Sequence, residues 1–75
     1  MSFVFQIVFR PEPEGGYTVL VPSLPGCVTF GETLEEAQTM AKEAISLYVE
    51  TMRKRNEDVV DDTHTFDSRL QVTVA

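Results

Sequence analysis

The chain has one cysteine, one histidine and no tryptophan among its 75 residues. A single cysteine excludes an internal disulfide. A lone cysteine with a lone histidine cannot supply the four N/S ligands of a structural zinc. Basic residues are scarce, with 6 Lys and Arg against 12 Asp and Glu, giving a net charge of −6. Nucleic-acid binders neutralise phosphates with clustered Lys and Arg, and the only basic cluster here is Arg53-Lys54-Arg55. The balance argues against direct nucleic-acid binding and suits a basic partner. Long apolar runs are also missing. Phe3 to Phe9 is short and is interrupted by Gln6, whereas a membrane span needs about 20 apolar residues. No signal peptide is expected, no membrane association, and a cytoplasmic location is.

A chain of this length makes one domain, here residues 1–75. It buries only about 60% of its unfolded surface, which leaves it marginal on its own. With disulfide and zinc both excluded, self-association is the expected remedy, as a dimer or higher oligomer.

The elements that are present are well marked. Ser2 to Arg10 alternates, with Phe3, Phe5, Ile7 and Phe9 on one face and Val4, Gln6, Val8 and Arg10 on the other. Pro11 and Pro13 end that strand, because proline cannot donate to a ladder. Gly15-Gly16 supplies a hairpin loop. Tyr17 to Val21 and Cys27 to Phe30 read as second and third strands, joined by Pro22-Ser23-Leu24-Pro25-Gly26. The short links predict an antiparallel meander. Thr33-Leu34-Glu35-Glu36 is a capping box, in which Thr33 accepts from the Glu36 amide and Glu36 reaches back to Thr33. Leu34, Ala37, Ala41, Ala44, Ile45, Tyr48 and Met52 then repeat at helical spacing, predicting a helix over about 34–55. Arg53 to Arg55 suit its carbonyl end. Asn56 to Asp67 is a polar, acidic loop. Arg69 to Ala75 alternates again, with Leu70, Val72 and Val74 on one face, predicting a fourth strand. The fold class is α+β, in the order β-β-β-α-β, with one long helix packed on one face of the sheet.

The order and spacing of these pieces resemble a known family. A Gly-Tyr strand, the Pro22-Ser23-Leu24-Pro25-Gly26-Cys27 loop, the Gly31-Glu32-Thr33 turn and Glu35-Glu36-Ala37 opening a helix are together similar to the signature of HicB-like antitoxins. The likeness covers residues 3–50 well and the last strand by position only. Ser23 stands where that family usually has Asp or another polar residue. The resemblance implies a partial ribonuclease-H-like fold without catalytic activity. It also implies a partner, a small basic HicA-type ribonuclease whose active site is masked by binding. Many such proteins add a DNA-binding module, and none is expected within these 75 residues.

Catalytic chemistry finds little support in the residues themselves. Two-metal nucleases need several carboxylates projecting from sheet and helix, and the first strand here carries no acid. Cys27 lacks a base, since His64 lies far along the chain in a polar loop, so Cys27 reads as a small buried hydrophobe. Glu57-Asp58-Val59-Val60-Asp61-Asp62 lacks the alternating acids, the glycine and the distal Glu of a calcium loop. No catalytic residue, metal ligand or cofactor is expected. Two surfaces remain as partner-contact candidates: Pro22, Ser23, Leu24, Pro25 and Gly26, and the acids Glu57, Asp58, Asp61 and Asp62. A homo-oligomeric domain serving another protein or a small ligand is the alternative reading.

Overall fold

The computed structural model describes residues 2–75. Its elements are β1 (Val8–Pro11), β2 (Tyr17–Leu20), β3 (Val28–Gly31) and α1 (Leu34–Lys54). The strands form one antiparallel sheet in the order β1-β2-β3. Register places Phe9 opposite Val19 and Val19 opposite Thr29, so this row shares one face. Val8, Leu20 and Val28 form a row on the other face.

The helix covers the first of these faces. Val19 is fully buried with Ala37 and Ala41, and Ile7, Phe9 and Tyr17 pack around them. A second cluster joins Val21, Leu24, Cys27 and Val49, with Phe3, Phe5, Ile45, Tyr48 and Val59 packed against it. The alanines have a specific use here. Only a small side chain lets the helix approach the sheet this closely, and Gly31 completes that close approach at the edge of β3. The apolar stripe is shifted from its sequence reading. Val49 is buried, whereas Leu34 is 52% exposed.

Thr33 caps the helix as its spacing predicts, its hydroxyl accepting from the Glu36 amide at 3.1 Å. The reciprocal bond differs by one residue: the Glu36 carboxylate accepts from the Glu32 amide at 3.0 Å. Glu35 and Glu36 lie in the first turn, and Arg53 and Lys54 in the last, each favoured by the helix dipole. Thr33→Ala should lower stability by about 1 kcal/mol, read as a lower denaturant midpoint with an unchanged slope. The far end closes with Asn56 in the left-handed region, at φ 57°. The Asn56 amide donates to Arg53 O at 3.1 Å and the Glu57 amide to Met52 O at 2.9 Å. This Schellman turn reverses the chain and sends residues 57–62 back toward the sheet.

Two strand expectations need correction. The first strand begins its ladder only at Val8, because β2 ends at Leu20 and leaves residues 2–7 without a facing strand. Phe3, Phe5 and Ile7 still pack on the helix side as their alternation predicts. The fourth strand is not formed. Residues 66–75 pair with nothing among the described residues, and Leu70, Val72 and Val74 are 86, 68 and 84% exposed. The reason lies upstream, where Asp61 and Asp62 tie the chain to the other side of the N-terminal segment.

Candidate partner-binding site

Pro22 and Pro25 stiffen the connection between β2 and β3, and successive backbone bonds tighten it. The Leu24 amide donates to Val21 O at 3.0 Å and the Cys27 amide to Leu24 O at 2.9 Å. Gly26 takes φ +80°, a conformation that side-chain-bearing residues rarely adopt. Leu24 points inward and is only 2% exposed. It is the anchor of the loop rather than part of its outer surface. Pro22, Ser23, Pro25 and Gly26 are exposed.

Two further bonds fix this ridge from either side. The Tyr48 hydroxyl donates to Pro25 O at 2.7 Å, tying the loop to the helix. The Ser23 hydroxyl donates to Asp62 Oδ1 at 2.6 Å. Thus the loop and the acidic segment, 39 residues apart in sequence at this contact, lie side by side. The loop and Asp62 therefore belong to one region.

The acids divide into two kinds. Asp62 is 6% exposed and is spent internally. Besides Ser23, its Oδ2 accepts from the Gln6 amide at 2.8 Å, and its own amide donates to Val4 O at 2.7 Å. Asp61 accepts from the Val4 amide at 2.9 Å and from Thr63 through both the amide and the hydroxyl. These bonds hold both carboxyls below the ordinary aspartate value. For Asp62 the Ser23 hydroxyl contributes most, then the Gln6 amide; for Asp61 the Val4 amide leads, then Thr63. Glu57 and Asp58 are exposed. Glu57 meets Arg55 only at 4.0 Å, a weak surface pair.

A cleft of about 470 Å³ opens beside the loop, lined by Gly26, Val28, Leu47, Tyr48, Arg55 and Glu57, among others. Leu47 is 67% exposed and Val28 54% exposed. Sequence reasoning missed Leu47. It falls outside the core stripe of the helix, and that an apolar residue stands there was the available signal. Cys27 lies at the floor of this region, buried, and burial pushes its thiol pKa up. It sits as the small core residue its context suggested. His64 is exposed. Among the described residues no three His, Cys, Asp or Glu side chains come together as a metal-holding group, and no helix is long and apolar enough to cross a membrane.

A three-stranded meander with one helix across it, and a stiff Pro-Gly loop displayed beside an acidic return segment, defines a small α+β module with a fixed surface ridge. The chain belongs to the HicB-like antitoxin family of bacterial toxin-antitoxin systems, which it matches over residues 5–72. It is 41% identical over 58 residues to a UPF0150 protein of Thermoplasma acidophilum, covering 77% of this chain and 84% of that one. It is 48% identical over 54 residues to a UPF0150 protein of Archaeoglobus fulgidus, covering 72 and 77%. To the antitoxin HicB of Escherichia coli it is 42% identical over 41 residues, covering 55% of this chain and 30% of that protein.

Proposed function

We propose that the chain is a non-catalytic antitoxin-type module that binds a small basic HicA-type ribonuclease in the cytoplasm and occludes its active site. The observation that carries this reading is the pre-ordered ridge at Pro22, Ser23, Pro25 and Gly26, pinned by Asp62 and Tyr48, with Glu57 in the adjoining cleft and Asp58 exposed next to it in sequence. A loop already held in one conformation loses little entropy on binding. Family membership and the net charge of −6 support a basic toxin as the partner rather than nucleic acid. Membership of an antitoxin family also supports the non-catalytic part.

Within this reading the residues have distinct tasks. Glu57 and Asp58 lie at the rim, where charge acts mainly on the encounter rate. Leu47 and Val28, in and beside the cleft, give the contact its apolar centre. Asp61, Asp62 and Leu24 are struts that hold the ridge in place.

The test is a titration against the product of the neighbouring reading frame at two salt concentrations, with RNA cleavage followed in parallel. An equimolar amount of the chain should suppress cleavage. The Glu57→Gln/Asp58→Asn variant should associate about three- to tenfold more slowly at low salt and nearly normally at high salt. An unchanged rate at low salt would remove the acids from the interface. No binding by the wild type would favour a homo-oligomeric domain serving another partner.

A further inference from the structure

The sheet is incomplete on one side. β1 is an edge strand, and the helix lies over β3 and, to a lesser extent, β2. The backbone groups of Val4 and Gln6 meet Asp61 and Asp62, on the side toward the Pro22–Gly26 loop. Alternate residues of an extended segment direct their amides and carbonyls to opposite edges. Those of Phe3, Phe5 and Ile7 therefore point outward, where no described residue meets them. Between this edge and the helix runs a groove of about 970 Å³, whose floor is Phe3, Phe5, Ile7 and Ile45.

The same chain carries a segment with the matching pattern. Residues 66–75 lie free of the body, and Leu70, Val72 and Val74 alternate with Arg69, Gln71 and Thr73. The radius of gyration is 14.3 Å, against about 11 Å expected for a compact domain of this length. Ten extended residues reach about 33 Å, enough to run the whole length of the open edge. The chain's own tail starts on the wrong side. Asp62 anchors it toward β2, and reaching the outer edge would take it across the N-terminal segment. A second copy approaching from outside meets no such obstacle. Lys42, Arg53 and the Lys54–Glu50 pair line the groove, a net positive rim that complements Asp67 at the root of an incoming tail.

We infer that two copies exchange residues 66–75, each tail adding a fourth strand to the outer edge of the partner copy's residues 3–9 and seating Leu70, Val72 and Val74 in its groove. The exchange is reciprocal and closes with two-fold symmetry, so it covers the outer edge of residues 3–9 in each copy without forming a filament. It concerns a surface separate from the Pro22–Gly26 ridge and does not depend on a toxin.

Light scattering at micromolar concentration should give twice the 8.4 kDa of one chain. Leu70→Asp/Val74→Asp should weaken the dimer about a hundredfold, since buried apolar anchors dominate such contacts. Far-UV dichroism checks that this variant keeps its helix, because neither side chain touches its own chain's body. Wild-type protein mixed from isotope-labelled and unlabelled copies supplies a readout free of mutation. Contacts between the Leu70, Val72 and Val74 methyls and the Phe3 and Phe5 rings should appear across the label boundary. A monomeric wild type, a variant that dimerises normally, or tail-to-ring contacts confined to one copy would each overturn the exchange.

Discussion

Gly31→Ala should lower the melting temperature by about 12–24 °C, the shift that about 3 kcal/mol produces in a domain of this size. An added Cβ at Gly31 would stand 2.3 Å from the Ala37 nitrogen, 2.4 Å from its Cα and 2.8 Å from the Glu36 carbonyl carbon. All three are backbone atoms of the first helical turn, so no side chain can swing aside. Either the helix start lifts off β3 or the strand end leaves its pairing with Tyr17. The whole stability of a 75-residue domain is about 4–11 kcal/mol, so the loss is a large share of it. Gly26→Ala is the control. Nothing lies within 4 Å of its added Cβ, and only the φ of +80° opposes it. That strain costs about 1–2 kcal/mol. Thermal melts at one fixed concentration decide the matter: if Gly31→Ala melts no lower than Gly26→Ala, the helix is seated farther from the sheet than these distances say.

The elements whose signals are local were legible in the sequence. The capping box starts the helix at Leu34, the proline-glycine loops set the meander, and the Phe3, Phe5, Ile7, Phe9 alternation identifies the covered face. What depends on distant partners was not legible. The length of the first strand is set by where β2 stops, and that end is fixed by the Pro22–Gly26 loop rather than by residues 2–7. The C-terminal alternation is genuine, but alternation says only which side chains share a face. It does not say which edge they meet, and in this chain they meet none.

The site shows the same division. Pro22, Ser23, Pro25 and Gly26 form an exposed ridge, as loop chemistry indicates, yet the Leu24 among them is a core residue. The acids of residues 57–62 look equivalent on charge alone. Only the fold separates Glu57 and Asp58, which face solvent, from Asp62, which bonds backbone 56 residues away at Gln6. A carboxylate bound to backbone amides leaves no periodic trace, because its partners are groups that every residue carries. The missed Leu47 is the reverse case, an apolar residue on an outer helix face whose neighbours come from β3 and the segment after the helix.

Asp62→Ala should be the most damaging single polar substitution in the chain, and Asp62→Asn should expose its pH dependence. The carboxylate receives the Gln6 amide and the Ser23 hydroxyl at once. Alanine leaves the half-buried Gln6 amide without a partner and frees the ridge from the N-terminal segment. Asparagine keeps one acceptor, and the Ser23 hydroxyl can turn to receive its amide, so its loss at neutral pH should be smaller than that of alanine. The charge is the difference between asparagine and the native residue. Because the folded-state pKa of Asp62 is depressed, its contribution is fully present above the unfolded value of about 3.9 and is lost as pH falls through the lower folded value. Unfolding in that acid window takes up a proton at Asp62, and likewise at Asp61, which the Val4 and Thr63 bonds depress in the same direction. Denaturant midpoints measured from pH 7 to pH 2 should therefore fall less steeply for Asp62→Asn, by up to about one proton in the linkage slope, and less steeply again for Asp61→Asn/Asp62→Asn. The variant and native curves should converge at the acid end, where the native carboxyl is itself neutral. Parallel curves across the whole range would mean that Asp62 titrates alike in the folded and unfolded chain, and that its charge adds nothing to the hold on the ridge.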